Sequence, residues 1–206
     1  MTRQSRGMKY MTKVHNDIDL IAHLMRRTAF GASRSEIDTL TELGYENALH
    51  RLFNSNSESV MPDYMMRRYH HEQSGMMGFA GPAASWIYRM ITTQDPLTEK
   101  ISLFWHGIFA TSYHKITQGK VLFDQVRMFR KYGRGNFRNL LIHLSKDPAM
   151  IGYLDNHENH KGAINENYGR ELLELFSMGV GNYTEADIKE AARAFTGWTI
   201  GNADYM

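Results

Sequence analysis

Residues 147–198 read DPAMIGYLDNHENHKGAINENYGRELLELFSMGVGNYTEADIKEAARAFTGW, and two helices can be traced directly in them. In Asn165–Met178, Tyr168, Leu172, Leu175 and Phe176 recur at helical spacing and form one apolar stripe. Glu166, Asn167, Arg170, Glu171 and Glu174 occupy the other side, where Arg170 is a four-residue neighbour of both Glu166 and Glu174. From Glu185 to Trp198, the apolar side holds Ile188, Ala191, Phe195 and Trp198, and the wet side Lys189, Glu190 and Arg193. Ala191, Ala192 and Ala194 leave room for a neighbouring helix to come close. Thr184 followed by Asp187 reads as a cap, and Gly179-Val180-Gly181-Asn182 as a helix stop and turn.

The same signals recur upstream. Asp147-Pro148 and Asp95-Pro96 each place a capping side chain before a proline at the first helical position. Ser33-Arg34-Ser35-Glu36 fits a capping box, and Gly44 suits the end of that helix. Ile18, Ile21, Leu24 and Met25 mark an earlier helix, and Tyr45–Phe53 a short later one. Residues 54–62 read as a polar linker and 75–82 as a Gly/Met-rich loop. In PLTEKISLFWHGIFA (Pro96–Ala110), Leu97, Ile101, Phe104, Trp105 and Ile108 share one broad apolar face, with Glu99, Ser102 and His106 opposite. No strand-type alternation is sustained and no repeat of 20–50 residues is visible. The expected fold is all-α, a single multi-helix domain of roughly eight to ten helices without a substantial sheet. It is expected over residues 15–198, between a flexible tail at 1–14 and a frayed or truncated one at 199–206.

Apolar residues make up 42% of the 206 and charged residues 22%, as in soluble globular proteins. The chain has no cysteine, which excludes disulfides, thiolate metal sites and a cysteine nucleophile. The basic N-terminus is not followed by an apolar run, so it lacks the middle of a secretory signal. No stretch is long and apolar enough to span a membrane. A soluble, cytoplasmic protein is the default expectation, with export open if the N-terminus is incomplete. Charge is uneven. Residues 115–146 carry eight Lys/Arg against Asp124 alone, and residues 147–193 carry nine Asp/Glu against four Lys/Arg. Such segments either pack edge to edge or leave a basic docking surface for an anionic partner.

Candidate chemistry concentrates in the loop Asp155–Asn167 and the first of the two C-terminal helices, which that loop opens. Asp155, Glu166, Arg170 and Glu171, with His106, are the candidate catalytic residues. Glu166 or Glu171 would serve as base or ligand, Arg170 as anion clamp and His106 as proton shuttle or ligand. Asn156, Asn165 and Asn167 are the candidate cofactor-binding residues in the polar connection Asp155–Asn167. Each has a plainer reading. His106, between Trp105 and Gly107 and close to Phe104, suits a satisfied core histidine. Asn156, Asn159 and Asn165 suit turns, and the carboxylates suit ion pairs on a wet helix face. Glu-x-x-His and His-Glu-x-x-His patterns are both absent, so a metal would have to draw on His106, His157 or His160 without support from spacing. No cofactor or metal can be named.

Four segments together resemble the bacterial domain of unknown function 1800 family. They are AHLMRRTAFGAS (22–33), KISLFWHGIFATS (100–112), GNFRNLLIHLSKDPAMIGYLDN (135–156) and NENYGRELLELFSMGVGNYTEADIKEAARAFTGW (165–198). The resemblance implies a bacterial, mainly helical protein of a family that is often about twice this length, frequently exported and without a settled activity. A fragment or N-terminal half is the corresponding expectation. Two functions follow as expectations. One is an enzyme or cofactor-binding domain with its polar site at 155–174. The other is a non-catalytic assembly protein docking a companion protein or a missing C-terminal half. Nucleic-acid binding through Lys120–Arg138 is disfavoured, because Phe123, Phe129, Tyr132 and Phe137 sit at core spacing rather than as a stacking platform.

Overall fold

The computed structural model describes residues 17–55 and 80–200. The expected tail 1–14, residues 56–62 of the expected linker, residues 75–79 of the expected loop and residues 201–206 of the last tail lie outside the described residues. Every regular element among the described residues is helical, and the β-type pairing there is an isolated bridge between His160 and Ala163. The fold is all-α. No helix among the described residues is long and apolar enough to cross a membrane. The chain forms two compact units, residues 1–62 with 85–100 and residues 63–84 with 101–206.

In the first unit, helix α1 (17–28) buries Ile21, Leu24 and Met25. α2 (Arg34–Leu43) opens on the expected capping box, in which the Glu36 amide donates to Ser33 Oγ and the Ser33 amide to Glu36 Oε2. It ends at Gly44, whose φ of 85° is open to glycine and strained for other residues. α3 (Tyr45–Phe53) adds Ala48 and Leu52 to a core shared with Ala29 and Leu40. α4 (Ala80–Thr92) and α5 (Pro96–Ile108) run through the boundary residues of both units. The buried Asp95 caps α5, accepting from the Thr98 amide and hydroxyl and from Ser55 Oγ.

In the second unit, α6 (Gly119–Tyr132), α7 (Phe137–Ser145) and α8 (Pro148–Tyr153) lead into a short 3-10 turn at Asn156–Glu158. Then come α9 (Asn167–Glu171), a π-helical turn at Leu172–Ser177 and α10 (Glu185–Ala194). Phe109, Phe129, Leu140, Leu144, Met150, Leu154, Tyr168 and Phe176 make the core. α9 and α10 cross at Gly169. A Cβ there would lie 2.9 Å from the Ala192 amide nitrogen and 3.2 Å from the Ile188 carbonyl, so glycine is what lets the two backbones touch.

Two expected faces come out differently. On α5 the apolar stripe is buried at its start, at Leu97, but not at its end: Phe104 is 57% exposed, Ile108 and Leu103 are exposed too, and Ser102 is fully buried. Phe109 decides the rotation, because its ring stacks on Trp105 and Phe129 in the core, and Ser102 and His106 share its edge of the helix. Glu99, also buried, has its carboxylate satisfied by the Trp86 indole at 2.9 Å. After α9, the Met178 amide donates to Leu173, five residues back rather than four. The wider turn winds less per residue, so Tyr168 and Phe176 stay buried while Leu175, expected in the same stripe, is 64% exposed.

Candidate functional site

The connection Asp155–Asn167 begins with a backbone reversal. Asp155 sits in the left-handed region at φ 56°, a conformation Asp and Asn tolerate better than most residues. Its carboxylate meets Lys115 Nζ at 2.7 Å. Asn159 holds the middle, with 1% of its surface exposed. Its amide nitrogen donates to the Ala192 carbonyl at 2.8 Å and to Asn156 Oδ1 at 3.2 Å, and its Oδ1 accepts from the Asn165 amide at 3.1 Å. The backbone Gly197 amide donates to the Asn159 carbonyl. Asn156, equally buried, donates to the Phe195 carbonyl. Asn165 donates to the Asp155 carbonyl and accepts from the Asn167 amide, an Asx turn that starts α9. Asn156 and Asn159 thus tie the loop to the carbonyls at the end of α10, and Asn165 closes the loop on itself.

Arg170 on α9 and Glu174 on the π turn also have partners. Arg170 grips both oxygens of Glu185 at 2.9 Å and reaches Glu166 at 3.3 Å. The bond to Arg170 holds the Glu185 carboxyl below its usual range. Tyr183 donates its hydroxyl proton to Glu174 at 2.8 Å. His106 lies half-buried on α5, and burial lowers its pKa, so the ring is neutral near pH 7.

Of the sequence-derived candidates, the hydrogen bonds bring together Asp155, Asn156, Asn165 and Asn167, all through Asn159 or one another. They separately join Glu166 to Arg170. Neither cluster includes His106 or Glu171. Asn159, Lys115 and Glu185 are the members that the sequence did not single out. Asn159 was legible as a turn residue, and no signal marked it as the hub. Among the described residues no group of three or more His, Asp and Glu side chains is placed to hold a metal ion.

Two further features of this unit bear on function. Asp147 is buried at the start of α8, accepting from the Met150 amide and from Gln125 Nε2, while Thr111 donates to the other end of the Gln125 amide. Burial pushes its carboxyl up to about 6, against the pull of those two hydrogen bonds. Nearby, Tyr168 shares a 2.6 Å bond with Ser145, and burial pushes its hydroxyl up to about 12.

On the surface, Trp105 contacts Phe104 edge-on at 5.0 Å and stacks on Phe137 at 5.7 Å. Phe104 and Phe137, 43% exposed, therefore belong to one aromatic patch. The indole of Trp105 is pinned by a 2.8 Å bond to the Gly133 carbonyl. Exposed Lys131, Arg134 and Arg138 flank Phe137 in sequence. The basic segment 115–146 does not dissolve into the acidic one: among the described residues a single ion pair, Lys115–Asp155, links them. Asp124 instead pairs with Lys120 and Arg127 on its own helix.

A family model described as a protein of unknown function (DUF1800) matches residues 23–205. No curated protein and no solved structure matches the chain.

Proposed function

The chain belongs to the DUF1800 family, and within it we propose that this protein is a non-catalytic assembly module whose second unit docks a companion polypeptide. The patch formed by Phe104, Trp105 and Phe137 carries the proposal. Large apolar side chains exposed singly are ordinary, but a contiguous aromatic cluster on a fixed frame is what partner surfaces use. The basic residues beside it select the partner. A segment with apolar anchors flanked by Asp and Glu would bury the aromatics and meet Lys131, Arg134 and Arg138 at the rim. The polar residues of 155–174 have a supporting role in this reading, since their side chains hold loop and helices together.

The test uses fluorescence anisotropy with two labelled amphipathic helical peptides, identical in apolar residues and carrying acidic or basic flanks. The acidic peptide should bind, and Phe104→Ser with Phe137→Ser should weaken it by roughly 10–100-fold. Equal binding of both peptides, or binding unaffected by the double variant, would overturn the reading. So would self-association of the protein through these same residues in light scattering, since the occupant would then be a second copy.

A second reading keeps an enzymatic or cofactor-binding role around 155–174. The π-helical turn that follows Glu171 favours it, because such turns are frequent at functional sites. Elemental analysis of the purified protein beside Glu171→Ala tests it: bound metal lost in the variant supports the role, and metal-free protein in both removes the metal form of it.

A further inference from the structure

The first unit contains a cavity of about 650 Å³, within the range of small-molecule sites. Its lining comes from α1, α2, the end of α3 and the turn that leads into α5. Met25, Leu40, Leu52 and Pro96 supply an apolar floor. Polar groups surround that floor, and most of their protons are already committed. Thr39 donates its hydroxyl proton to the Ser35 carbonyl. Ser55 Oγ lies within donor reach of the Leu52 carbonyl and Asp95 Oδ1, and the Asn54 amide reaches the His50 ring. Two lining donors remain without a protein acceptor among the described residues, the guanidinium of Arg51 and the side-chain amide of Gln94.

A ligand seated here must therefore bring acceptors to Arg51 and Gln94 and apolar surface to the floor. Glu36 lines the same cavity, with Oε2 tied into the α2 cap and its carboxyl held below the usual range by the Ser33 hydrogen bonds, so it is ionised at neutral pH. A fixed negative charge in the lining that also holds Arg51 disfavours a ligand with a second anionic group. We propose that this cavity is a binding site for an organic monocarboxylate with an apolar body, its carboxylate on Arg51 and Gln94. The site stands independently of the docking face on the second unit.

Arg51 is exposed on the last turn of α3, so its replacement leaves the fold intact and costs only the small stabilisation that a cation gains at a helix end. The full chain is titrated with octanoate and 1-naphthylacetate, followed by amide chemical shifts and by the melting midpoint. Both carboxylates should bind saturably at millimolar concentration or below, with shifts confined to α2, α3 and residues 93–96. Octanol and octylamine should bind at least about tenfold more weakly, and so should the dicarboxylate suberate. Arg51→Gln should weaken octanoate by roughly 10–100-fold with no more than a small drop in the melting midpoint of the free protein. Arg51→Lys should restore part of that loss. Glu36→Gln, which keeps a capping side chain and removes the charge, should narrow the gap between octanoate and suberate. No saturable octanoate binding, octanoate binding equal in Arg51→Gln, or a preference for octylamine or suberate would each overturn the proposal.

Discussion

α10 and α5 carry comparable apolar stripes and differ in how far they bury them. On α10 the stripe and the buried face agree: Ile188 and Ala192 are buried, and Lys189, Glu190 and Arg193 face solvent. On α5 the polar residues Glu99 and Ser102 are inside, while Phe104 and Ile108 are outside. The difference lies in what fixes each helix. α10 is clamped along its length by the Gly169 crossing and by bonds from Asn156 and Asn159. The C-terminal part of α5 is set by the ring of Phe109 and the bond from Trp105 to Gly133, and its neighbouring edge tolerates polar atoms because partners satisfy them, as Trp86 does for Glu99. An apolar stripe thus marks a face that wants a partner. Whether the chain itself supplies that partner is decided elsewhere.

Substitutions on α5 break this contrast most sharply. Phe109→Ala should cost about 3–5 kcal/mol, because the ring is fully buried among Trp105, Phe129 and Phe176. Ile108→Ser, one residue away, should change stability by no more than about 0.5 kcal/mol. Urea denaturation reads both. Equal effects would mean that the exposed stripe is covered after all.

On the α10 side the decisive residue is Asn159. Asn159→Ala removes the side-chain bond to the Ala192 carbonyl, which keeps the Phe195 amide, and leaves the half-buried Asn165 amide without its acceptor, for a loss of about 1–3 kcal/mol. Hydrogen exchange at Asn165 and across residues 155–167 should accelerate in step. A loss no larger than that of an exposed asparagine would show that the loop is held by its backbone alone.

These two regions also show what the sequence could reveal. Capping at Ser33, Asp95, Asp147 and Thr184 was legible, since it depends on residues only a few positions apart. The all-α class follows from the same local signals. The stripe of α10 was legible because its partner helix is nearby in sequence. The inverted burial of the C-terminal part of α5 was not, because it rests on contacts from Phe109 to Phe129 and Phe176, 20 and more residues away. At the candidate site, residue types and location could be read, but bonding could not. Arg170 was expected to bridge Glu166 and Glu174, and its stronger partner is Glu185, fifteen residues on, while Glu174 takes Tyr183 instead.

Asp147 sharpens the comparison through pH. The folded carboxyl holds its proton up to about 6, whereas in the unfolded chain it releases it near 3.8. Between those values the folded state binds more protons, so this group's contribution is fully present below pH 3.8 and is lost as pH rises through 6. Its size is about 2–3 kcal/mol. Asp147→Asn keeps an acceptor for the Met150 amide and removes the titration, so its stability should lose that slope between pH 4 and pH 6 in urea denaturation. A slope retained in the variant would assign it to other carboxylates.

The smallest effect belongs to the most visible interaction. Arg170 and Glu185 form a two-pronged ion pair linking α9 to α10, which looks like a clamp on the same helix that Asn159 secures. Yet Glu185 stands well out in solvent, with 70% of its side chain exposed, and water and salt screen such pairs. Arg170→Ala should leave the denaturation midpoint unchanged at high ionic strength, while Asn159→Ala keeps its full loss there, because a buried amide is beyond the reach of dissolved ions. If Arg170→Ala instead matched Asn159→Ala at high salt, the polar face of α9 would be holding the two helices together, and the anion-clamp role first read from the sequence would have to compete with a structural one of the same size.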